Sequence, residues 1–136
     1  MTVIKKLNDL DIILGELSRK KILSLVPTMG SLHKGHISLI KSALKYSDEV
    51  WVSIFVNPTQ FNDINDYKKY PMNSKEDINI IKSIDQNINI FLPSIDDIYG
   101  KKIIRDNFNF DGIDKILEGI KRPGHFDGVA TIVKKL

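Results

Sequence analysis

His33 and His36 stand three residues apart in the stretch Val26-Pro-Thr-Met-Gly-Ser-Leu-His-Lys-Gly-His36. If a helix starts there, that spacing puts both imidazoles on one side of the turn. An imidazole can donate a hydrogen bond to a phosphate oxygen and, when protonated, neutralise its charge. Gly30 and Gly35 would let the backbone come close to a ligand. An α-phosphate gains negative charge in an adenylyl-transfer transition state, so donors placed there in advance lower the barrier. Taken alone, two histidines in a glycine-containing loop serve equally well as surface side chains. A zinc pair fits poorly: there is no cysteine, no nearby carboxylate cluster completes a site, and no residue is assigned to a metal.

Two further groups carry polar chemistry. Asn57 and Gln60 are uncharged amides on the next turn, suited to the hydroxyls or carboxylate of a small polar substrate. Asn is equally prone to cap a loop, so the two roles stay open. Arg122 and His125 flank Pro123-Gly124. Arg can grip a carboxylate or phosphate bidentately, or it can be an exposed turn residue. Glu118 either positions Arg122 through a charged pair or is simply solvated. Thr28 offers a hydroxyl to the first turn, where Met29 more readily packs than binds.

The flanking patterns say what must hold these residues. Residues 22–26 are short, apolar and followed by Pro27, which predicts a buried parallel strand ending at the proline. Residues 35–47 then read as a helix with Ile37, Leu39, Ile40, Ala43 and Leu44 toward a sheet. Residues 49–56 are apolar almost throughout and predict a central strand. Both turns would thus open on the same sheet edge, just beyond strand carboxyl ends, where open α/β sheets bind ligands. A helix N-terminus there offers free N–H groups to an anion, so the first turn is expected to hold a phosphate-bearing ligand.

Upstream, Leu7, Leu10, Ile13, Leu14 and Leu17 recur at helical spacing, with Asn8 or Asp9 as cap and residues 19–21 near the carbonyl end. Downstream, residues 76–84 predict a helix capped by Ser74, and residues 89–92 a short strand. Residues 95–99 predict one helical turn, 102–110 an edge strand, 114–119 a short helix and 126–136 another. Strand–helix alternation predicts an α/β fold with a Rossmann-like parallel sheet of three or four strands in a single domain.

Composition bounds the rest. The 136 residues carry a net charge of +3, and 42% are hydrophobic. The lysine pairs are short and separated, so they read as solvated faces rather than a nucleic-acid surface. With no cysteine, disulfides and thiolate metal sites are excluded. No apolar run approaches the roughly 20 residues a membrane span needs. Asn8, Asp9 and Asp11 interrupt any signal-peptide core, which leaves a soluble cytoplasmic protein as the expectation.

At these residues the sequence resembles the pantothenate synthetase (pantoate–β-alanine ligase) family. The matching pieces are residues 26–36, Val52-Ser-Ile-Phe-Val-Asn-Pro-Thr-Gln-Phe61, Tyr70-Pro71 and Leu117-Glu-Gly-Ile-Lys-Arg-Pro-Gly-His-Phe126. The first contains the His-x-Gly-His signature of the wider nucleotidyltransferase superfamily. The resemblance implies a two-step reaction: ATP, with magnesium, activates pantoate as an acyl adenylate, and the amine of β-alanine then displaces AMP. It implies that Met29, Gly30, Ser31, Leu32, His33, Lys34, Gly35 and His36 line the ATP site. His36 would be a proton donor and His33 a second phosphate contact. Gln60, with Asn57 nearby, would bind pantoate beside the β-alanine position. Pro27 and Thr28 would shape that pocket, and Arg122 and His125 fall in a matching motif. Family members are usually cytoplasmic homodimers.

There are departures. Met72 stands where the family commonly has Arg, and Gly100 where it often has Pro. The family's Gly-x-Lys-Asp-type segment, Ser-Ser-Arg loop and C-terminal domain have no counterpart here. The expectation is therefore an apparently truncated N-terminal nucleotide- and pantoate-binding portion, weak or inactive by itself and prone to self-association. Two alternatives remain: a non-catalytic nucleotide- or pantoate-binding fragment that needs a missing half or partner, and another adenylyltransferase of the superfamily. Residues 57–61 argue against the latter.

Overall fold

The computed structural model describes residues 1–17 and 19–136. Its contacts fall into two compact units, residues 1–55 with 71–97, and residues 56–70 with 98–136. The first unit is built on four strands: β1 (Val3–Ile4), β2 (Leu23–Thr28), β3 (Glu49–Ile54) and β4 (Asn89–Phe91). All pairings are parallel, in the order β1-β4-β3-β2. Thr28 is opposite Ile54, so the strand ends that lead into the two turns lie side by side. The pairing runs on to Phe55, whose N–H donates to Thr28 O at 3.0 Å.

The helices α1 (Leu7–Glu16), α2 (Lys34–Tyr46) and α4 (Ser74–Ile84) complete this unit, while α3 (Ile64–Lys69) belongs to the second. Val26, Val50, Val52, Ile54 and Ile90 alternate onto one sheet face, as strand periodicity requires. There they pack with Ile40, Ile81 and Ile88, backed by Ala43, Leu44 and Ile84. Fully burying one such isoleucine contributes about 2 kcal/mol. Leu39, expected to face inward, is 60% exposed.

β3 is central, as its apolar run predicts. The expectation for β2 needs correcting: the strand passes through Pro27 to Thr28 and lies at the sheet edge. In a strand, one residue's N–H and C=O point the same way. Thr28 O and Ile22 O both face β3, so Pro27 turns its donor-less nitrogen outward, where no ladder bond is lost. Leu23 and Leu25 point to the face opposite Val26, where the edge position leaves them exposed although Trp51 and Phe91 on the same face are buried. β1 is an addition the sequence did not suggest.

Other boundaries shift as well. The first helix starts after Lys6 with no side-chain cap, so neither Asn8 nor Asp9 caps it, and it ends at Glu16 before the cations of residues 19–21. Asn73, not Ser74, caps α4 by accepting from Glu76 N–H.

The second unit contains a 3-10 turn (Pro58–Gln60), α3 (Ile64–Lys69), the end of α5 (Ile95–Tyr99), a second 3-10 turn (Ile113–Lys115), α6 (Glu118–Lys121) and α7 (His125–Lys135). Residues 102–110 form no strand. Side chains of α7 take their amides instead: Asp106 N–H donates to Thr131 Oγ1 (3.0 Å) and Phe108 N–H to Asp127 Oδ1 (2.8 Å). The helix expected over 114–119 is split between the second 3-10 turn and α6. At Gly128, α7 lies against the first 3-10 turn, where a Cβ would stand 2.2 Å from Thr59 O.

Candidate functional site

The turn between β2 and α2 is held by side chains at almost every amide. Thr28 Oγ1 donates to Ser53 O (2.8 Å) and accepts from Gly30 N–H (3.2 Å). Its hydroxyl therefore braces the turn. Gly30 has φ +79°, and a Cβ there would stand 2.8 Å from Asp77 Oδ2, so both the angle and the space call for glycine. Ser31 follows at φ +53°, and its hydroxyl donates to Pro71 O (3.2 Å). Asp77 of α4 accepts from Ser31 N–H (3.0 Å) and Leu32 N–H (2.8 Å).

The two histidines cap their own helix. His33 Nδ1 accepts from Gly35 N–H (3.1 Å), and His36 Nδ1 accepts from His33 N–H (3.3 Å). The rings lie 4.1 Å apart, centroid to centroid. This is a reciprocal capping box built from imidazoles. An accepting ring nitrogen carries no proton, so each neutral ring holds its proton on Nε2. Neither Nε2 has a hydrogen-bond partner among the described residues. The expectation of free N–H groups at this helix start is thus corrected. The amides of Gly30, Ser31, Leu32, His33 and Gly35 are taken, and the side-chain donors left for an anion include the two Nε2–H groups. Lys34 is exposed beside them, while Met29 and Leu32 are half-buried. Burial lowers the His36 pKa, His33 lowers it further, and the Asp77 carboxylate raises it.

In the second unit the amide turn is organised differently. Asn57 is fully buried. Its Nδ2 donates to Gln60 Oε1 and to Gly128 O, each at 3.0 Å. Its Oδ1 accepts from Thr59 Oγ1 (2.9 Å) and from the Tyr99 hydroxyl. Burial pushes the Tyr99 phenol up, so it stays a donor. Every hydrogen-bonding site of the Asn57 amide is occupied within the chain, which revises its expected contact with a substrate. Gln60 is half-buried, and its Nε2 has no partner among the described residues.

His125 starts α7, and its Nδ1 lies 3.1 Å from Gln60 O. Arg122 is exposed and pairs with Glu118 at 3.6 Å, also exposed. Of the two readings of Glu118 the pair is observed, though at this exposure it is worth little. Phe61, stacked edge-on against Tyr67 and Tyr70, borders an open cleft of about 380 Å³ with Thr59, Asn62, Ile103 and Arg105. Neither Asp77 nor Arg105 was singled out by the sequence reading. Asp77 had a readable signal: it lies on the buried stripe of α4 with Ile81 and Ile84, where a charge is out of place.

Comparison with known proteins identifies the family. The family model described as pantoate-beta-alanine ligase matches residues 2–136. A pantothenate synthetase of Christiangramia forsetii is 51% identical over 116 residues, covering 85% of this chain and 41% of the relative. One from Francisella tularensis subsp. novicida is 47% identical over 137 residues, covering 100% and 52%. The chain thus spans about half the length of the curated relatives it matches. Among solved structures, the pantoate-beta-alanine ligase of Francisella tularensis, complexed with beta-gamma ATP and beta-alanine, superposes with a TM-score of 0.91 at 46% identity. It is matched over 99% of this chain and 51% of that one. The Thermus thermophilus pantothenate synthetase gives 0.87 at 32%, over 99% and 47%. With a parallel sheet, a histidine-capped turn and a match along nearly its whole length, the chain belongs to the pantoate-beta-alanine ligase family.

Proposed function

We propose that this chain carries the nucleotide- and pantoate-handling portion of an ATP-dependent ligase that joins pantoate to β-alanine. The observation that carries the reading is the pair of Nε2–H donors on the imidazole turn, neither of which has a hydrogen-bond partner among the described residues. A carboxylate oxygen of pantoate attacks the α-phosphorus of ATP and pyrophosphate leaves. Charge growing on the α-phosphate oxygens is met by His33 and His36. The β-alanine amine then attacks the acyl carbon and AMP departs. Gln60 Nε2 contacts pantoate, and Asn57 holds Gln60 in place. By the family resemblance, Met29 to His36 line the ATP site and Pro27 and Thr28 shape the pantoate pocket, while Arg122 and His125 fall in a matching motif. Magnesium enters with ATP as part of the substrate.

In keeping with the family resemblance, the working protein is cytoplasmic and homodimeric. No helix among the described residues is long and apolar enough to cross a membrane.

The test is an NMR titration of the chain with ATP, then pantoate. Shifts at residues 29–36 with ATP and at Gln60 with pantoate are expected. ATP shifts confined elsewhere would refute the reading. Alone, the chain is expected to bind but to form little or no pantothenate, because it spans only about half of its relatives. Robust pantoate-dependent ATP–pyrophosphate exchange would overturn that second expectation.

A further inference from the structure

We propose that Asp77 is a positioning residue for the imidazole turn: its carboxylate, bonded to two successive amides, fixes the backbone that presents His33 and His36. The inference rests on the nucleotide reading above. Asp77 is 3% exposed, comes from an element 45 residues further along the chain, and accepts from both Ser31 and Leu32. Those two amides begin where the chain passes through the left-handed conformations of Gly30 and Ser31. A non-glycine residue at positive φ persists only when its surroundings hold it there, and here the carboxylate does so. Bonds from N–H groups to an ionised carboxylate are the stronger kind. Gly30 leaves the room that brings Asp77 Oδ2 against the turn.

A carboxylate buried without a cation is costly unless hydrogen bonds compensate it. No ion pair involves Asp77 among the described residues, so the two amides meet its charge. The groups acting on His36 are His33 at the helix start and Asp77 from α4. Asp77 therefore links the shape of the turn to the protonation of one of its rings.

The experiment uses the 136-residue chain. In the unmodified protein, the Ser31 and Leu32 amide NMR signals should move together, with one shared midpoint, on acidification. In Asp77→Asn, the His36 imidazole midpoint should fall to lower pH and ATP should bind about tenfold more weakly. Signals around Asn57 should stay in place. An unchanged His36 midpoint in the folded variant, or Ser31 and Leu32 amides that ignore the acid titration, would overturn the proposal. If Asp77→Asn does not fold, the amide titration of the unmodified chain decides the matter. If the unmodified chain fails to bind ATP, the nucleotide reading falls, and the amide and His36 titrations still judge Asp77.

Discussion

The two polar turns follow neighbouring strands of one sheet, yet they divide their labour in opposite ways. In the imidazole turn the residues suited to chemistry, exposed His33 and half-buried His36, keep a free ring nitrogen each, and the bracing is done by buried Thr28 and Asp77. In the amide turn the most conspicuous polar residue, Asn57, is itself the structural part, and the group left over is Gln60. A polar side chain in a promising loop thus has to be judged by which of its hydrogen bonds are already spent.

Breaking that division should have its largest effect at Asn57. Asn57→Ala orphans partners at Gln60, Thr59, Tyr99 and Gly128, and should cost about 3 kcal/mol in urea unfolding. Gln60→Ala should cost less than about 1 kcal/mol but remove the pantoate-induced shifts. If the two changes proved equally destabilising, the contrast would fail.

On the imidazole side the order should reverse. His33→Ala or His36→Ala gives up a cap worth about 1 kcal/mol, while ATP affinity drops about tenfold for each lost donor. Isothermal titration beside thermal melts separates the two quantities.

A smaller effect concerns pH. The His36 pKa lies below its ordinary 6.5, first from burial and then from His33. The unfolded chain therefore takes up this proton more readily than the folded one. The stability from the neutral ring is whole above 6.5 and is lost as pH falls through the lowered value. Protonation also removes the Nδ1 acceptor of the capping box. Thermal midpoints should decline on acidification in that window, and His36→Gln should flatten the decline.

The smallest change expected is at Arg122. Its pair with Glu118 is exposed, so Arg122→Ala should alter stability by no more than about 0.5 kcal/mol. Any larger loss would show that Arg122 has a partner beyond Glu118.

Much of this organisation could be read from the sequence where burial imposes a period. The apolar run of residues 49–56 became the central strand, and Ile40, Ala43 and Leu44 marked the inner face of α2. Residues 102–110 misled because weak alternation resembles a strand, whereas their amides are claimed by Asp127 and Thr131 on α7. β1 has two residues and leaves no period to detect. Pro27 signals a stop only in a strand with neighbours on both sides, and β2 has β3 alone. His33 and His36 were recognisable as a pair, but their mutual cap depends on ring orientation, which spacing does not encode. Asp77 resembles an ordinary acidic residue in a helix's first turn, and only its place on the stripe of Ile81 and Ile84 sets it apart.

The outward edge of β2 has a polarity of its own. A strand docking there would meet N–H and C=O at Leu23 and Leu25, but only a carbonyl at Pro27. Added pairing can therefore extend along the amino-terminal part of β2 and must lose a bond on reaching the residue before Thr28. The proline acts as a stop for sheet growth, keeping β-addition away from the turn that bears the histidines.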